Sequence, residues 1–417
     1  MRVLVVGGGG REHAICHALS KSPRVEKLFC APGNGGIAKV AECVGIPASD
    51  IESMVRFSKE NADFVVVAPD DPLAAGMVDA LEAAGIRAFG PRKAAARIES
   101  SKAYAKSIME KYGIPTAGFR VFSDSEEAKA YIRARGAPIV VKADGLALGK
   151  GVVVAADVGT ALDAVDGMML GKRFGESGSR IVVEECMPGP EVTVLAFTDG
   201  KTIRPMLSSQ DHKRAYDADL GPNTGGMGAF CPSPSYTGEI AEACMDTIIR
   251  PTVDAMEKEG APFKGVLYFG LMLTPQGPRV VEYNARFGDP ETQPILTMLK
   301  TDLLDILEAV ADERLHEVDV EWREGFACCV VMASGGYPNH YEKGFPISGL
   351  ESVPDGVTVY HAGTAPAESG FVTNGGRVLG VTATGGTLEQ ASARAYEGVG
   401  RISFENAHYR TDIGSRP

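Results

Sequence analysis

Four segments of the chain carry charged and amide side chains at spacings that a packed core does not need. In Arg279-Val280-Val281-Glu282-Tyr283-Asn284-Ala285-Arg286, strand alternation sets Glu282 and Asn284 on one face, with Arg286 a further candidate for it, and Val281 and Tyr283 on the other. A carboxylate and an amide oxygen two residues apart are hard ligands of the kind that suits Mg²⁺, which bridges phosphates and keeps some of its waters. Arg286 adds a planar donor fork for phosphate or carboxylate oxygens. The run Phe287-Gly288-Asp289-Pro290-Glu291 then supplies a turn and further acids. The competing reading is an edge strand whose polar residues are simply solvated.

The segment Lys142-Ala143-Asp144-Gly145-Leu146-Ala147-Leu148-Gly149-Lys150-Gly151 looks like a phosphate-binding loop of the Gly-x-x-x-x-Gly-Lys type, but the spacing from Gly145 to Gly149 is one residue short. Gly151 also stands where a hydroxyl would hold Mg²⁺, and a strand pattern follows where such a loop opens a helix. A glycine turn between two strands, with Lys142 and Lys150 at its ends, is better suited to closing over a triphosphate with backbone donors and positive charge. A plain surface hairpin with solvated lysines is the alternative.

Residues 208–235 are polar, glycine-rich and almost without periodicity, the pattern of a structureless loop that is functional or disordered. Within them lie Gln210-Asp211-His212-Lys213-Arg214 and Gly221-Pro222-Asn223-Thr224-Gly225-Gly226-Met227-Gly228. Basic side chains beside backbone donors could surround an anionic intermediate; a solvated basic turn is the other reading. Near the N-terminus, Gly7-Gly8-Gly9-Gly10 ends a strand and opens a helix, where free N–H groups can hold a phosphate. A dinucleotide site needs Gly-x-Gly-x-x-Gly and an acid on the next strand. Here Glu12 or His13 takes the last glycine's place and the second strand ends Cys30-Ala31-Pro32. A phosphate-bearing substrate suits the loop better than NAD or FAD, with a merely structural turn as the remaining reading. No Gly-x-Ser-x-Gly, His-Glu-x-x-His or Cys/His metal array occurs. Hydrolase and zinc chemistry therefore lack support, whereas phosphoryl transfer, run by positioning and charge, needs no protein nucleophile.

These segments need a scaffold. Over residues 1–100, short β-rich runs (3–6, 27–30, 64–68, 87–89) alternate with helical patterns (12–20, 77–84), which predicts a parallel α/β sheet with ligand loops at the carboxyl ends of its strands. Those ends are residues 7–10, 31–36 and 69–72. Helices are expected over 103–112, 125–135, 238–259 and 294–311, and strands over 139–143, 151–155, within 180–206, and over 265–273 and 278–284. From about residue 325, short strands (327–332, 357–361, 378–383) and a helix over 388–399 suggest a separate α+β domain.

The chain has 417 residues, enough for three or four compact units, and a net charge of −12 that argues against a nucleic-acid partner. Its 8 cysteines show no Cys-x-x-Cys spacing and read as reduced, mostly buried thiols. Neither a signal-peptide pattern nor an apolar run of membrane-spanning length is visible, so a soluble, cytoplasmic protein without membrane partners is expected.

Gly10-Arg11-Glu12-His13, Ala31-Pro32-Gly33-Asn34, Lys142-Ala143-Asp144-Gly145-Leu146, the two motifs of residues 210–228, residues 282–293, His361-Ala362-Gly363-Thr364 and Asn374-Gly375-Gly376-Arg377 occur in that order along the chain. Together they resemble the phosphoribosylamine–glycine ligase, or glycinamide ribonucleotide synthetase, family. The resemblance implies an ATP-grasp fold: an N-terminal α/β substrate-binding domain (1–100), a catalytic domain (101–120 and 191–324), a mobile flap (121–190) and a C-terminal α+β domain (325–417). It further implies ligation of glycine to 5-phosphoribosylamine through glycyl phosphate, with ATP and Mg²⁺ or Mn²⁺, as the second step of de novo purine synthesis.

By the same resemblance, ATP meets Lys102, Lys142 and the flap residues Gly145, Gly149, Lys150 and Gly151. The adenine hinge includes Glu184, Glu185 and Met187, and Glu191 takes the ribose hydroxyls. Glu282 and Asn284 hold the metal. Asp211, His212, Lys213, Arg286 and Asp289 lie about the acyl phosphate and amine. Gly9, Gly10, Arg11, Glu12, Asn34, Asp70, Gly225, Gly226, Met227 and Arg377 face substrate. Two positions depart from the family's usual pattern, Gly8 where Asn is usual and Asp70 where Glu is usual. Other ATP-grasp ligases and carboxylases, or a non-catalytic ATP sensor, would share the flap and the metal strand. Residues 210–228 argue against the former, and intact Glu282, Asn284 and Arg286 against the latter.

Overall fold

The computed structural model describes residues 1–147, 151–171 and 175–415. Strands β1 (Arg2–Gly7), β2 (Lys27–Pro32), β3 (Glu42–Cys43), β4 (Phe64–Val67) and β5 (Arg87–Phe89) form a parallel sheet in the order β3-β2-β1-β4-β5. Leu4 and Val6 pack with Val65 and Val67 on one face, and Val3 and Val5 with Phe64 and Val66 on the other. Unbroken apolar runs are what a sheet covered on both faces requires. Strand order reverses between β1 and β4, and the loops leaving these two strands meet there: a Cβ on Gly7 would lie 3.0 Å from Pro69.

The helix Lys102–Tyr112 is capped by Ser101, whose side chain accepts from the Tyr104 N–H, and is closed by Gly113 at φ 67°. Strands β6 (Phe119–Phe122), β7 (Ile139–Ala143), β8 (Val152–Ala155) and β9 (Ile181–Glu185) follow as an antiparallel sheet ordered β6-β9-β7-β8. Helices Ser125–Arg135 and Val158–Val165 pack on it around a small core of its own that includes Phe122, Ile132, Val141 and Val165. Pairing of β7 with β8 makes the expected hairpin; Gly149 and Lys150 in its turn lie outside the described residues.

Strands β10 (Glu191–Asp199) and β11 (Ile203–Pro205) come next. Residues 208–235 are not structureless: they contain β12 (Gln210–Asp211), β13 (Arg214–Tyr216), β14 (Leu220–Asn223) and β15 (Gly228–Cys231). β13 and β14 pair as a hairpin, while β12 pairs with β15. Strands of two to four residues are too short to show a period, and β15 also takes a partner far along the chain, in residues 326–334.

The expected helix over 238–259 runs as Gly238–Cys244 and Arg250–Lys258 about a π turn, Met245–Ile249, just before Pro251, which lacks the N–H and the room a regular turn needs. Strands β16 (Lys264–Thr274) and β17 (Gly277–Asn284) complete a second antiparallel sheet, β11-β10-β16-β17. Gly270 pairs with Glu282 but Leu271 with Val280, so Val281 is an extra, bulged residue. The bulge corrects simple alternation: Val280 and Tyr283, not Val281 and Tyr283, share the core face. The expected helix over 294–311 is two, Thr292–Thr297 and Leu303–Ala311, the second capped by Asp302.

The C-terminal unit holds β18 (Phe326–Ser334), β19 (Pro346–Ile347), β20 (Val357–His361), β21 (Thr364–Pro366), β22 (Phe371–Thr373), β23 (Arg377–Gly385) and β24 (Ala407–His408). Its main sheet runs β12-β15-β18-β23-β20, so β12 and β15 extend it, and the helix Leu388–Val399 packs on β18 and β23 through Ala391, Ala395 and Val399.

Candidate active site

Lys142, on β7, is buried, and its Nζ donates to the carbonyl of the bulged Val281 at 2.9 Å. The same Nζ lies 3.0 Å from Glu184 Oε2 on the neighbouring strand β9. The other oxygen of Glu184 is 3.2 Å from Lys106 Nζ, which donates to Thr116 Oγ1 at 2.7 Å. Burial drives the Lys106 ammonium down to about 8 against the pull of Glu184. The Glu184 side chain thus holds two lysines. Glu185 points elsewhere, accepting from the Gly118 N–H at 2.9 Å and Arg279 at 3.0 Å, and Met187 is half-buried beyond the end of β9. Sequence spacing does not single out Lys106, because a helical lysine reads as a solvated residue until the sheet that buries it is known.

Lys102 reaches the hairpin turn directly, its Nζ donating to the Gly145 carbonyl at 2.9 Å. Asp144 ties that turn to the helix, accepting from Ser101 Oγ at 3.0 Å and the Ala103 N–H at 2.9 Å, and pairing with Arg180. Gly145 and Gly151 have no space for a side chain: a Cβ would meet Ser177 Oγ at 2.4 Å and Ala147 Cβ at 2.6 Å respectively.

Glu282 on β17 faces Lys213, whose Nζ lies 3.4 Å from Glu282 Oε1 and also pairs closely with Glu191 at the start of β10. Burial disfavours the Glu282 charge, but Lys213, Lys142 and Lys102 outweigh it and hold this carboxyl at about 2. The Asn284 amide oxygen accepts from Arg286 Nη2 at 3.0 Å, and the same guanidinium lies 2.9 Å from buried Glu99. Glu99 also accepts from the Ala285 N–H at 2.7 Å, a buried acid that no motif marks. Asp70 opens the helix Asp70–Ala75, and its charge adds to the negative field at Arg286. No group of three or more His, Cys, Asp or Glu side chains could hold a cation among the described residues. Glu282, held ionised, and the Asn284 amide oxygen are hard oxygen donors of the kind that suits a cation completed by water or phosphate.

On the opposite wall, Asp289 accepts from Gln293 Nε2 at 2.9 Å and lies 3.2 Å from Arg377 Nη2. Burial works against its charge, but Arg377 and Arg11 keep it below the ordinary carboxylate range. Arg377 also donates to the Gly225 carbonyl at 2.6 Å and the Asp289 carbonyl at 2.7 Å, so its fork clamps two loops. Gly9 and Gly10 sit against this turn: Cβ atoms there would lie 3.5 and 3.7 Å from the Asp289 carboxylate. Glu12 accepts from the Gly9 N–H and from Arg11 Nε at 2.6 Å each, and Arg11 donates to the Phe287 carbonyl at 3.1 Å. Asn34 donates to the Gly8 and His361 carbonyls at 2.9 and 2.8 Å and accepts from the Gly36 and Ile37 N–H groups, so it joins the first loop to the C-terminal unit.

Asp211 and Lys213 reach this centre, but His212 does not. The His212 ring lies 5.9 Å from the Phe230 ring on the C-terminal side, and burial brings its imidazole down to about 4. Asp211 is pushed well above the ordinary carboxylate range by burial and by Glu291, and its Oδ1 has no hydrogen-bond partner among the described residues. Gly226, at φ 111°, passes so close that a Cβ would lie 2.7 Å from that oxygen and 2.4 Å from Pro290. Gly225 donates its N–H to Tyr337 at 3.0 Å, while Met227 is wholly buried.

Two antiparallel sheets closing lysines, carboxylates and a glycine turn between them, with an N-terminal parallel sheet and a C-terminal unit supplying the opposite wall, define the ATP-grasp class. Three family models match in sequence: the phosphoribosylglycinamide synthetase N domain over residues 1–99, its ATP-grasp (A) domain over 100–292 and its C domain over 327–416. The chain belongs to the phosphoribosylglycinamide synthetase family. It is 49% identical over its whole length to the full-length phosphoribosylamine–glycine ligase of Caldanaerobacter subterraneus subsp. tengcongensis. It is 50% identical to that of Brucella melitensis, with 100% of this chain and 98% of the relative covered. The crystal structure of phosphoribosylamine–glycine ligase from Thermotoga maritima superposes with a TM-score of 0.86 at 36% identity, covering 99% of this chain and 100% of that one. A biotin carboxylase domain from Hydrogenobacter thermophilus, solved with ADP, magnesium and bicarbonate, shares the fold at TM-score 0.75 and 15% identity, over 98% of this chain and 91% of that one. No helix among the described residues is long and apolar enough to cross a membrane.

Proposed function

We propose that this chain is an ATP-dependent carbon–nitrogen ligase that joins glycine to 5-phosphoribosylamine, giving glycinamide ribonucleotide, ADP and phosphate, the second step of de novo purine synthesis. The observation that carries this reading is the pairing of two walls: three lysines about the ionised Glu282 on one, and Asp289, Arg377 and the glycine loops on the other. Full-length relatives named for this ligase support the choice of substrates. A carboxylate oxygen of glycine attacks the γ-phosphorus of ATP, and the bond to the β–γ bridging oxygen breaks, leaving glycyl phosphate and ADP. The amine of phosphoribosylamine then attacks the acyl carbon, and the acyl–oxygen bond breaks to release phosphate.

Lys102, Lys142 and the flap residues Gly145, Gly149, Lys150 and Gly151 hold the phosphates in this scheme, with the strand end at Glu184, Glu185 and Met187 against adenine and Glu191 at the ribose. Glu282 and Asn284 would hold Mg²⁺ or Mn²⁺, which when bound would neutralise charge on the phosphate oxygens. Lys213 and Arg286 face the transferring phosphoryl group. Asp289, kept ionised by Arg377 and Arg11, is suited to orient the attacking amine, while Gly9, Gly10, Arg11, Glu12, Asn34, Asp70, Gly225 and Gly226 shape the amine-substrate side. The test is ADP release with Mg²⁺ and mass-spectrometric detection of the product. Glycine with freshly made phosphoribosylamine should stimulate release and yield glycinamide ribonucleotide; stimulation by bicarbonate and an aminoimidazole ribonucleotide, with none by glycine, sinks the assignment.

A further inference from the structure

We infer that the C-terminal segment around Arg410 is a positioning clamp for the hairpin that carries Lys213, an inference that rests on the proposed role of Lys213 in phosphoryl transfer. Arg410 is 1% exposed, unusually deep for an arginine. Its guanidinium donates to the Arg214 carbonyl at 3.2 Å, the residue directly after Lys213, and to Asp219 at 2.8 Å near the hairpin tip. Its remaining donors are braced by Asp412 at 2.7 Å. Around it, His408 Nε2 lies 2.7 Å from the Ala215 carbonyl, Asp412 accepts from the Ala218 N–H at 2.9 Å, and Asp217 accepts from the Thr411 N–H at 2.8 Å. Four residues of the tail, His408, Arg410, Thr411 and Asp412, thus address the hairpin through one buried fork, three flanking contacts and the Asp412 brace.

The hairpin tip supplies a second, independent observation. Ala218 and Asp219 both adopt φ 56°, a left-handed conformation unfavourable to side chains other than glycine or, less severely, asparagine and aspartate. Such residues persist where surrounding contacts over-determine them, and here the contacts on both come from the tail. The hairpin matches the family's ATP-grasp domain and the tail its C domain, so the clamp crosses between them. Arg410 and Asp219 touch no reacting group; they act by fixing the hairpin that begins at Arg214, directly after the Lys213 that reaches Glu191 and Glu282.

The test uses the full-length chain with Asp219→Ala, Asp219→Glu and Arg410→Lys. Asp219 is largely exposed, so its variants leave the core intact. Asp219→Ala and Arg410→Lys should each lower kcat about tenfold with KM for ATP within about twofold of the parent. Asp219→Glu should recover most of the loss. Hydrogen exchange should quicken over residues 213–223 in the two impaired variants and stay unchanged over β18. Parent-like kcat and exchange in both, or faster exchange spread evenly through the C-terminal sheet, overturns the clamp. If the parent itself releases no ADP with glycine and phosphoribosylamine, the functional reading falls, whereas the exchange comparison still decides whether the tail holds the hairpin.

Discussion

Two half-buried carboxylates, Glu282 and Asp211, have opposite electrostatic fates. Glu282 stands on a sheet surface toward which Lys213, Lys142 and Lys102 converge, and their charge overcomes the cost of burial. Asp211 sits half-buried beside Glu291 and Glu191, and desolvation with these two like charges outweighs the opposing pull of Lys213 and Arg377. The difference lies in the balance of neighbouring charges, three lysines about Glu282 against two acids beside Asp211, not in the type of acid. A permanently charged acid can hold a metal and order phosphates, whereas one driven toward its neutral form can donate a hydrogen bond to an anion.

The largest test of this contrast is Glu282→Gln, which removes the charge and keeps the shape. Turnover should fall about a thousandfold or more, since the metal ligand and the counter-charge of three lysines go together. Because the folded-state pKa of Glu282 is depressed to about 2, its stabilising contribution is present above the unfolded value near ~4.3 and lost as pH falls toward that lower value. The variant should therefore melt below the parent at neutral pH, with the gap closing below about pH 4. Near-parent turnover across a magnesium and manganese titration would mean that Glu282 holds no metal.

Lys213→Met should cost about a hundredfold in kcat, the scale of losing one preorganised donor at developing charge. It should also shift the acid limb of the pH–rate profile upward, because the cation that most lowers the Glu282 pKa is gone. An unshifted acid limb would assign that limb to another group. The smallest effect belongs to Asp211→Asn and has the opposite sign in stability. Asp211 has a raised folded-state pKa, so its stabilising contribution is complete only below the unfolded value near ~3.9 and is lost as pH rises through the folded one. Thermal melting of the variant should rise by about a degree or two at neutral pH and match the parent near pH 4. A lower melting temperature at neutral pH would show that the carboxylate is paired after all.

Much of this was legible in residue order. The parallel sheet followed from apolar runs that alternate with helices, and the ends of the helix Lys102–Tyr112 at Ser101 and Gly113 from capping chemistry that acts within a few residues. Elements whose partners are remote were not legible. β12 and β15 are too short to carry a period and take their strand geometry from each other and from β18. The bulge at Val281 is set by pairing with β16, and no pattern within β17 announces it.

The site divides along the same line. Asp211 came forward through the family resemblance, whereas motif spacing was enough to bring Glu282, Asn284 and Lys142 forward as candidates, because oxygen ligands and cations at strand ends have few other uses. It could not separate Asp211 and Lys213 from His212, which turns away toward Phe230, nor find Lys106, Glu99 and Arg410, whose roles consist of being buried beside a particular partner. The kinds of chemical group available, and the local elements that carry them, were determined by the sequence alone, since side-chain chemistry and backbone capping are properties of neighbours in the chain. Which acid is charged, which lysine is shared and which loop is clamped was decided only by the tertiary structure, because desolvation and Coulomb energy depend on distances between residues far apart in sequence.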